Sequence, residues 1–349
     1  MTSKSMKLTA ACMLAGSIFG WQAPAIAGSD NSSDTYAGDY SGGSLPTGTF
    51  LAIQYAGFAR SNAFINTAGT QLPNSHANIW EEFTRFAYFT QIGGHPFVIE
   101  AELPFATLTD VNVPGTNNLV KGGLTDPVLH FTYFLVSDAA AQRWLGLTDY
   151  SYLPVGDYDN TRAINVATAH QYTNVPQIGY TEGLGKFSPA LKGFFFDFVA
   201  NASIHTDGHD PIASSIVPVP VSINPPVVLP GVLSFDTLTQ RPSYDIKAFL
   251  RYEPTTFLFA AIGIEKSWGG EQTTTGTVTL GGRPVAFVPL SLSKDDYLRG
   301  HLQFQVPLAR DFTVAADVFH DFDRTGGFKE DIGVEFRLIK FFFPPPPAK

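Results

Sequence analysis

Polar and charged side chains recur at every second position of otherwise apolar segments, and these are the groups with which this chain could do chemistry. Alternate residues of a β-strand point to the same face of a sheet. If that face is the inside of a closed sheet, acids, bases and amides there can line a polar path, or they can pair with one another and fill the interior. The sequence leaves both alternatives open. The candidate lining residues are Glu100, Glu102, His130, Asp197, Asn201, Asp245, Lys247, Arg251, Arg299, His301, Gln303, Gln305, Asp317, Glu335 and Arg337.

Several phenylalanines have the strand parity that would turn them toward the same inner face. They are Phe195, Phe249, Phe257 and Phe259. Such rings can stack on an aromatic solute, and Arg251 and Arg299 beside such rings could add cation–π contacts. Inward rings can also simply fill space in a narrow interior. Both interpretations are open at this point.

The sequence contains no arrangement that predicts catalysis or metal binding. Its eight histidines are scattered, and His205 with His209 form a lone pair of the kind found more often on surfaces than in metal sites. It has no Gly-x-Ser-x-Gly elbow, phosphate-binding loop or zincin helix. Its only cysteine, Cys12, lies in the predicted signal peptide described below, which excludes disulfides and thiolate sites from the mature chain. We therefore predict a protein that is not an enzyme and that uses no cofactor or metal ion.

Alternation of apolar and polar residues predicts the strands that position these groups. The cleanest example is residues 298–306, where Leu298, Leu302 and Phe304 face away from Arg299 and His301. Residues 96–105, 193–205, 244–253, 312–321 and 332–338 alternate in the same way. Noisier candidates lie at 51–58, 79–90, 128–136, 144–153, 171–181 and 257–265. Together they give about 12 strands, an even number as bacterial barrels require.

The connections between these strands alternate in length. Long segments cover residues 61–75, 106–126, 154–169, 206–242 and 266–295, and short ones cover 93–96, 137–142, 183–190, 253–256 and 307–311. Membrane barrels with both chain ends in the periplasm have long external loops and short periplasmic turns. The rhythm of loop lengths therefore favours such a barrel over a soluble β-sandwich.

Residues 211–242 are crowded with proline, as in Pro218-Val219-Pro220 and Pro225-Pro226. Proline lacks the amide hydrogen that a sheet needs, so we expect no central strand in this segment. It is either a mobile external loop or a lid folded into the barrel mouth.

The first 27 residues have the layout of a secretory signal peptide. Lys4 and Lys7 precede an apolar stretch over residues 8–19, and the small-residue site Ala25-Ile26-Ala27 follows. The stretch is too short to span a bilayer as a helix, and no other segment offers about 18 uninterrupted apolar residues. Residues 28–48, rich in Gly, Ser and Asp, are predicted to form a flexible leader without a core of its own.

Composition narrows the class of protein. Without Lys4 and Lys7 the mature chain carries 20 basic and 31 acidic residues, so nucleic acid is not an expected partner. The chain is 44% hydrophobic with 30 Phe and 13 Tyr, yet only 15% charged. A chain of this kind needs apolar surroundings for its aromatic side chains.

Two-faced strands suit either a soluble sheet with its apolar face inside or a membrane barrel with that face outside. In hydrocarbon each unpaired backbone group costs several kcal/mol, so a spanning sheet must close on itself. The signal peptide, the aromatic content and the loop rhythm favour the membrane version. We predict an all-β fold: a single closed antiparallel transmembrane β-barrel of about 12 strands over residues 49–343, in the bacterial outer membrane, with a proline-rich tail at 344–349.

Several short motifs lie in order at the predicted strand edges. They are Leu45-Pro46-Thr47-Gly48-Thr49-Phe50, Gly122-Gly123-Leu124-Thr125-Asp126-Pro127, Leu153-Pro154-Val155-Gly156-Asp157-Tyr158 and Trp268-Gly269-Gly270-Glu271. With these motifs and its paired final strands over residues 297–336, the chain resembles the MetA-pathway of phenol degradation family of outer-membrane proteins. The likeness covers most of the mature chain.

The resemblance implies an outer-membrane channel or uptake barrel that passes small, hydrophobic or aromatic molecules by passive diffusion. Its expected partners are outer-membrane lipid, a small-molecule solute that meets the lining residues, and the barrel-assembly machinery. The chain departs from the family pattern where Phe341-Phe342-Phe343 is followed by further residues, and where the proline-rich segment lengthens a loop. The alternative function is a closed structural or adhesive barrel that acts through its surface loops.

Overall fold

The computed structural model describes residues 35–221, 227–294 and 296–345. The predicted signal peptide, the first residues of the predicted leader and the end of the predicted tail lie outside these ranges. Within them, no helix is long and apolar enough to cross a membrane.

Strands dominate the described residues, with short 3-10 helices at Asp39–Ser44, Leu184–Lys186 and Pro189–Leu191. The strands are β1 Phe50–Ile65, β2 His76–Ile92, β3 His95–Asn112, β4 Val120–Lys121, β5 Gly123–Leu124, β6 Val128–Asp138, β7 Arg143–Tyr152, β8 Ile164–Asn165, β9 Thr173–Gly183, β10 Phe194–His205, β11 Gly208–Val221, β12 Val227–Gln240, β13 Ser243–Thr255, β14 Leu258–Gly269, β15 Gln272–Leu280, β16 Arg283–Ser291, β17 Asp296–Ala309, β18 Phe312–Thr325 and β19 Gly327–Phe342.

Twelve of the described strands form one closed barrel in which neighbours are antiparallel. Their order around the wall is β1, β2, β3, β6, β7, β9, β10, β13, β14, β17, β18 and β19. The last strand returns to the first, where Tyr55 of β1 lies opposite Arg337 of β19. Closure gives each strand a hydrogen-bonding neighbour on both sides, which a sheet in hydrocarbon requires. The predicted closed antiparallel transmembrane barrel is confirmed.

The barrel strands turn their apolar faces outward. Ile99 of β3 is 44% exposed on the outside, whereas its neighbour Glu100 is 6% exposed on the inside. On β17, Leu302 is exposed and Gln303 is buried, and Phe336 of β19 is exposed in the same way. A soluble sandwich would show the opposite distribution, so this outer surface is one that contacts lipid.

The two ends of the barrel differ as the loop lengths predict. The first strand starts and the last strand ends at the same end as the short turns, such as the one between β2 and β3 at Gly93 and Gly94, both with positive φ. The long connections lie at the opposite end. Both ends of the barrel chain therefore lie on the side of the short turns, which is the periplasmic side in barrels of this type.

The expectation that the proline-rich segment contains no central strand was wrong. β11 and β12 join β15 and β16 in a separate four-stranded sheet at the long-loop end, in the order β11, β12, β15, β16. β11, with Pro211, and β16, with Pro284 and Pro289, are its edge strands. Pro230 of β12 lies outside the stretch from Val232 to Gln240 that pairs with β15. Pro211, Pro284 and Pro289 thus lie on edge strands, where proline is tolerated and protects the edge from further pairing.

The structure also differs from the predicted flexible leader. Residues 35–48, here called the N-terminal segment, lie inside the barrel and include the 3-10 helix Asp39–Ser44. Tyr36, Ala37 and Tyr40 are buried. The segment has too little apolar surface to form a core of its own, but the barrel interior supplies its contacts. This placement could not be seen in the local composition.

We expect Leu302→Lys to destabilise the barrel and Leu308→Lys to do so far less. Leu302 lies midway along the outer face of β17, whereas Leu308 lies beside the turn that ends this strand. A lysine near the bilayer centre costs about 2–4 kcal/mol, against about 0–1 kcal/mol near the interface. Urea titration of the protein refolded in lipid vesicles measures both losses in the free energy of unfolding. Equal losses would contradict a lipid-facing outer surface.

Candidate functional site in the barrel lumen

The polar residues predicted to line the interior all lie on the inner face of the barrel. Most are buried, and His301 and Glu335 are half-buried. They come from β3, β6, β10, β13, β17, β18 and β19, which encircle the lumen. Their contact with a solute remains a prediction.

Toward the long loops, these side chains form ion pairs that connect different strands of the wall. Arg299 Nε donates to Asp321 Oδ1 at 2.7 Å, and its Nη2 donates to Glu330 Oε2 at 2.6 Å. His301 lies between two carboxylates, with Nδ1 2.8 Å from Asp317 Oδ2 and Nε2 2.9 Å from Glu265 Oε2. Lumen charges in this region are therefore cross-linked to one another.

The same arrangement recurs across β2, β3 and β6. Arg85 Nε donates to Glu100 Oε2 at 2.6 Å, and His130 Nε2 lies 2.9 Å from Glu102 Oε1. Because a buried charge without a partner is costly, these pairs stabilise the closed wall as a unit. Of the two alternatives left by the sequence, charge pairing within the interior describes most of the polar lining.

The N-terminal segment is held by polar contacts with the wall. Arg337 Nη1 donates to Asp39 Oδ1 at 3.1 Å, and the guanidinium lies 4.1 Å from the centre of the Tyr36 ring. The hydroxyl of Tyr36 donates to Glu335 Oε1 at 2.7 Å. The backbone N–H of Ala37 donates to Gln303 Oε1 at 2.9 Å. Arg251 Nη2 also donates to Ser41 Oγ at 3.0 Å, so four of the predicted lining residues bind the chain's own N-terminal segment.

Tyr40 anchors the segment on the opposite wall. Its hydroxyl lies 2.8 Å from Thr148 Oγ1 and accepts a hydrogen bond of 2.8 Å from Gln177 Nε2. Its ring occupies space that side chains at Gly146 and Gly179 would need, since a Cβ at Gly179 would come within 1.8 Å of the ring. Sequence reasoning missed this contact. Glycines inside strands were the available signal, because they often mark a close approach.

Two cavities flank the N-terminal segment within the described part of the lumen. The inner chamber, of about 460 Å³, lies toward the short turns. Its aromatic lining is Phe89, Phe134, Trp144, Phe195, Phe257, Phe259 and Phe341, with Tyr40 and Tyr150. The outer chamber, of about 270 Å³, lies toward the long loops, and its charged lining includes Glu102, Lys247, Glu265, Arg299, His301 and Asp317. Thr35 lines both chambers, Tyr36 only the outer one and Ala37 only the inner one, so the segment separates them.

The inward phenylalanines divide between the two roles that the sequence left open. Phe195, Phe257 and Phe259 line the inner chamber. Phe249 is 2% exposed and packs over Gly263, where an added Cβ would come within 2.2 Å of its ring. Phe249 therefore fills space, whereas the other three rings face an open cavity.

Two of the motifs that carry the family resemblance clasp each other at the long-loop end. Asp126 Oδ1 accepts from the backbone N–H of Gly156 at 3.0 Å, and its other oxygen accepts from the N–H of Thr168 at 3.0 Å. Asp157 accepts from the N–H of Leu124 at 3.2 Å. Burial raises the pKa of Asp126, and the hydrogen bonds from Thr168 and Gly156 oppose this rise. The clasp fixes the loop between β7 and β9 over the barrel mouth, where Val166 lines the outer chamber.

Among the described residues, no group of three or more His, Cys, Asp or Glu side chains is arranged to hold a metal ion.

Comparison with known proteins decides the family. The profile of the family described as "Putative MetA-pathway of phenol degradation" matches residues 61–337, which is most of the chain. This chain belongs to that family. The resemblance predicted from the sequence is thereby confirmed. No curated protein matches the sequence.

A solved structure shows that this family member shares its fold with an outer-membrane channel. The COG4313 outer membrane channel from Pseudomonas putida F1 is 17% identical, with a TM-score of 0.67 over 88% of this chain and 100% of that one. The Pseudomonas putida toluene transporter TodX is 9% identical, with a TM-score of 0.43 over 92% and 96% of the two chains. The Ralstonia pickettii toluene transporter TbuX is 10% identical, with a TM-score of 0.39 over 86% and 91%. The last two likenesses are too weak to carry an argument.

We expect Gly179→Val to raise the ion conductance of the barrel several-fold. The new side chain would enter the space of the Tyr40 ring and displace the N-terminal segment without changing any charge. Single-channel recording in planar bilayers measures the effect. Gly57→Val is the matched control, because a Cβ at Gly57 meets its nearest atom only at 3.7 Å. If both variants fold and conduct like the parent protein, the segment is not the obstruction.

Proposed function

We propose that this family member is an outer-membrane uptake channel through which small hydrophobic molecules, aromatic ones in particular, cross by passive diffusion. The observation that carries the proposal is the division of the lumen. An N-terminal segment separates a charged outer chamber from an aromatic inner chamber. The chain reaches the outer membrane after removal of its signal peptide, and the barrel-assembly machinery and outer-membrane lipid are its partners there.

The charged lining does not favour a general pore for hydrophilic solutes. The cations Arg299, Arg251 and Arg85 are each bound to at least one carboxylate. A polar solute would have to compete with these pairs for hydrogen bonds, whereas an apolar solute leaves them intact. Predicted lining residues thus act mainly as a fixed, internally neutralised wall, with Phe195 and Phe259 supplying the surface that the solute meets.

Passage requires the N-terminal segment to move. Its polar anchors, among them Asp39 with Arg337 and Ala37 with Gln303, are hydrogen bonds that must break together for the segment to shift as a unit. The name of the COG4313 protein, whose fold this chain shares, describes a channel. That name agrees with the proposal.

We expect covalent fixation of the N-terminal segment to stop uptake. Ala37→Cys and Gln303→Cys place thiols at neighbouring positions, and the only native cysteine, Cys12, lies in the predicted signal peptide. A short bifunctional thiosulfonate can join the two thiols in porin-deficient Gram-negative cells, and a reductant releases them. Initial uptake of radiolabelled ethylbenzene should fall to the empty-vector rate after joining and recover after reduction.

The single-cysteine variants, treated identically, are the controls. If uptake is by passive diffusion, a protonophore should leave the initial rate of ethylbenzene uptake unchanged. Uptake equal to that of empty-vector cells in every state would remove the channel function. Loss of cell-surface binding on deletion of the separate sheet formed by β11, β12, β15 and β16, with uptake unaffected, would favour the adhesive alternative.

A further inference from the structure

We propose that the inner chamber is a binding site for one uncharged aromatic molecule and that it discriminates against aromatic carboxylates. This inference rests on the proposed uptake function. It names the place where a solute pauses and the charge state that the site accepts.

Aromatic rings enclose the inner chamber from several sides. Phe89 belongs to β2, Phe134 to β6, Trp144 to β7, Phe195 to β10 and Phe259 to β14. Rings on strands so far apart around the wall can meet both the face and the edge of a bound ring, which are the preferred geometries of aromatic contacts. The volume of about 460 Å³ lies within the range of about 300–1,000 Å³ that is usual for small-molecule sites.

The cations that line the chamber are already engaged. Arg85 Nε donates to Glu100 Oε2 at 2.6 Å, and Arg251 Nε donates to Asp197 Oδ2 at 2.9 Å. Arg337, the remaining cation of the described lining, holds the N-terminal segment. A carboxylate ligand would have to displace one of these buried acids, and separation of a buried pair leaves a charge uncompensated. A neutral ring requires no such exchange.

Arg251 also fixes the aromatic wall. Its guanidinium carbon lies 4.4 Å from the centre of the Phe195 ring and 5.6 Å from that of Phe259. Cation–π contact of this kind holds both rings at the cavity edge rather than allowing them to collapse into it. The ion pair with Asp197 thus holds Arg251 in the position that keeps the cavity open. It also neutralises Arg251, whose charge is the only one that contacts these two rings in the described contacts.

Trp144 provides a reporter inside the chamber. It is 5% exposed and lines the cavity, whereas Trp80 and Trp268 are 51% and 37% exposed on the outer face of the barrel. The double variant Trp80→Phe/Trp268→Phe keeps Trp144 as the sole tryptophan of the described residues. Its fluorescence therefore reports on a quencher that enters the chamber.

The test is a titration of this purified variant in detergent with nitrobenzene, a neutral aromatic quencher, and with 4-nitrobenzoate, its anionic counterpart. We expect saturable quenching by nitrobenzene, and a Kd for 4-nitrobenzoate at least about tenfold higher. Phe195→Leu and Phe259→Leu should each weaken nitrobenzene binding. Phe304→Leu, which removes a ring from the outer face of β17, is the matched control and should leave it unchanged.

Non-saturable quenching, like that of a protein with Trp80 as its sole tryptophan, would overturn the binding site. Equal affinity for the neutral and the anionic quencher would overturn the discrimination. The uptake measurement separates these failures from that of the proposed function. Uptake without saturable quenching removes only the site, and saturable quenching without uptake supports the site while removing the channel.

Discussion

Backbone hydrogen bonding in hydrocarbon is the constraint on which the rest of this structure depends. Water cannot satisfy a backbone group there, so the sheet must close, and β19 returns to β1 for that reason. Closure fixes which face meets lipid. The polar residues of each strand then face the interior. A barrel of twelve strands is also wider than an eight-stranded barrel, whose interior side chains alone can fill. The N-terminal segment and the two chambers occupy the space that remains.

A charged side chain inside the low-dielectric barrel is energetically costly unless it has a partner of opposite charge. Arg299 meets Asp321 and Glu330, and His301 lies between Glu265 and Asp317. These pairs join β17 to its wall neighbours β14 and β18 and, through Glu330, to β19. The polar lining is therefore a network of cross-linked charges. The sequence left open whether the interior is a path for a solute or is filled by its own side chains, and the structure contains both filled and open parts. Charge fills the outer part of the lumen, and aromatic rings bound the cavity in the inner part.

The sequence predicts the barrel wall well because the alternation of a strand is local. Arg299, Gln303 and Gln305 fall on one side of β17 and Leu302 on the other, and no distant residue is needed to see it. The family motifs were visible in the same way, although their clasp was not, since Asp126 and Gly156 meet only after two strands have paired.

The missed features are those that depend on tertiary position. Proline disfavours a strand in general, but at an edge it is harmless, and only the assembled sheet reveals that β11 and β16 are edges. The N-terminal segment looked like a flexible leader because its own composition is polar. It is ordered by contacts with Arg337, Gln303 and Gly179, which are far away in the chain. In the sequence, the one sign of these contacts is a glycine, Gly179, inside a strand.

The same layout that stabilises the barrel also sets a useful strength of solute binding. A monocyclic aromatic molecule that buries on the order of 200 Å² of apolar surface gains about 5 kcal/mol at about 25 cal/mol per Å². After the loss of translational and rotational freedom on binding, affinities near the millimolar range follow. A channel needs a site that is favourable enough to fill and weak enough to empty. Rings without a free charge meet that condition, whereas an ion pair made directly with the solute would hold it too long to allow flux.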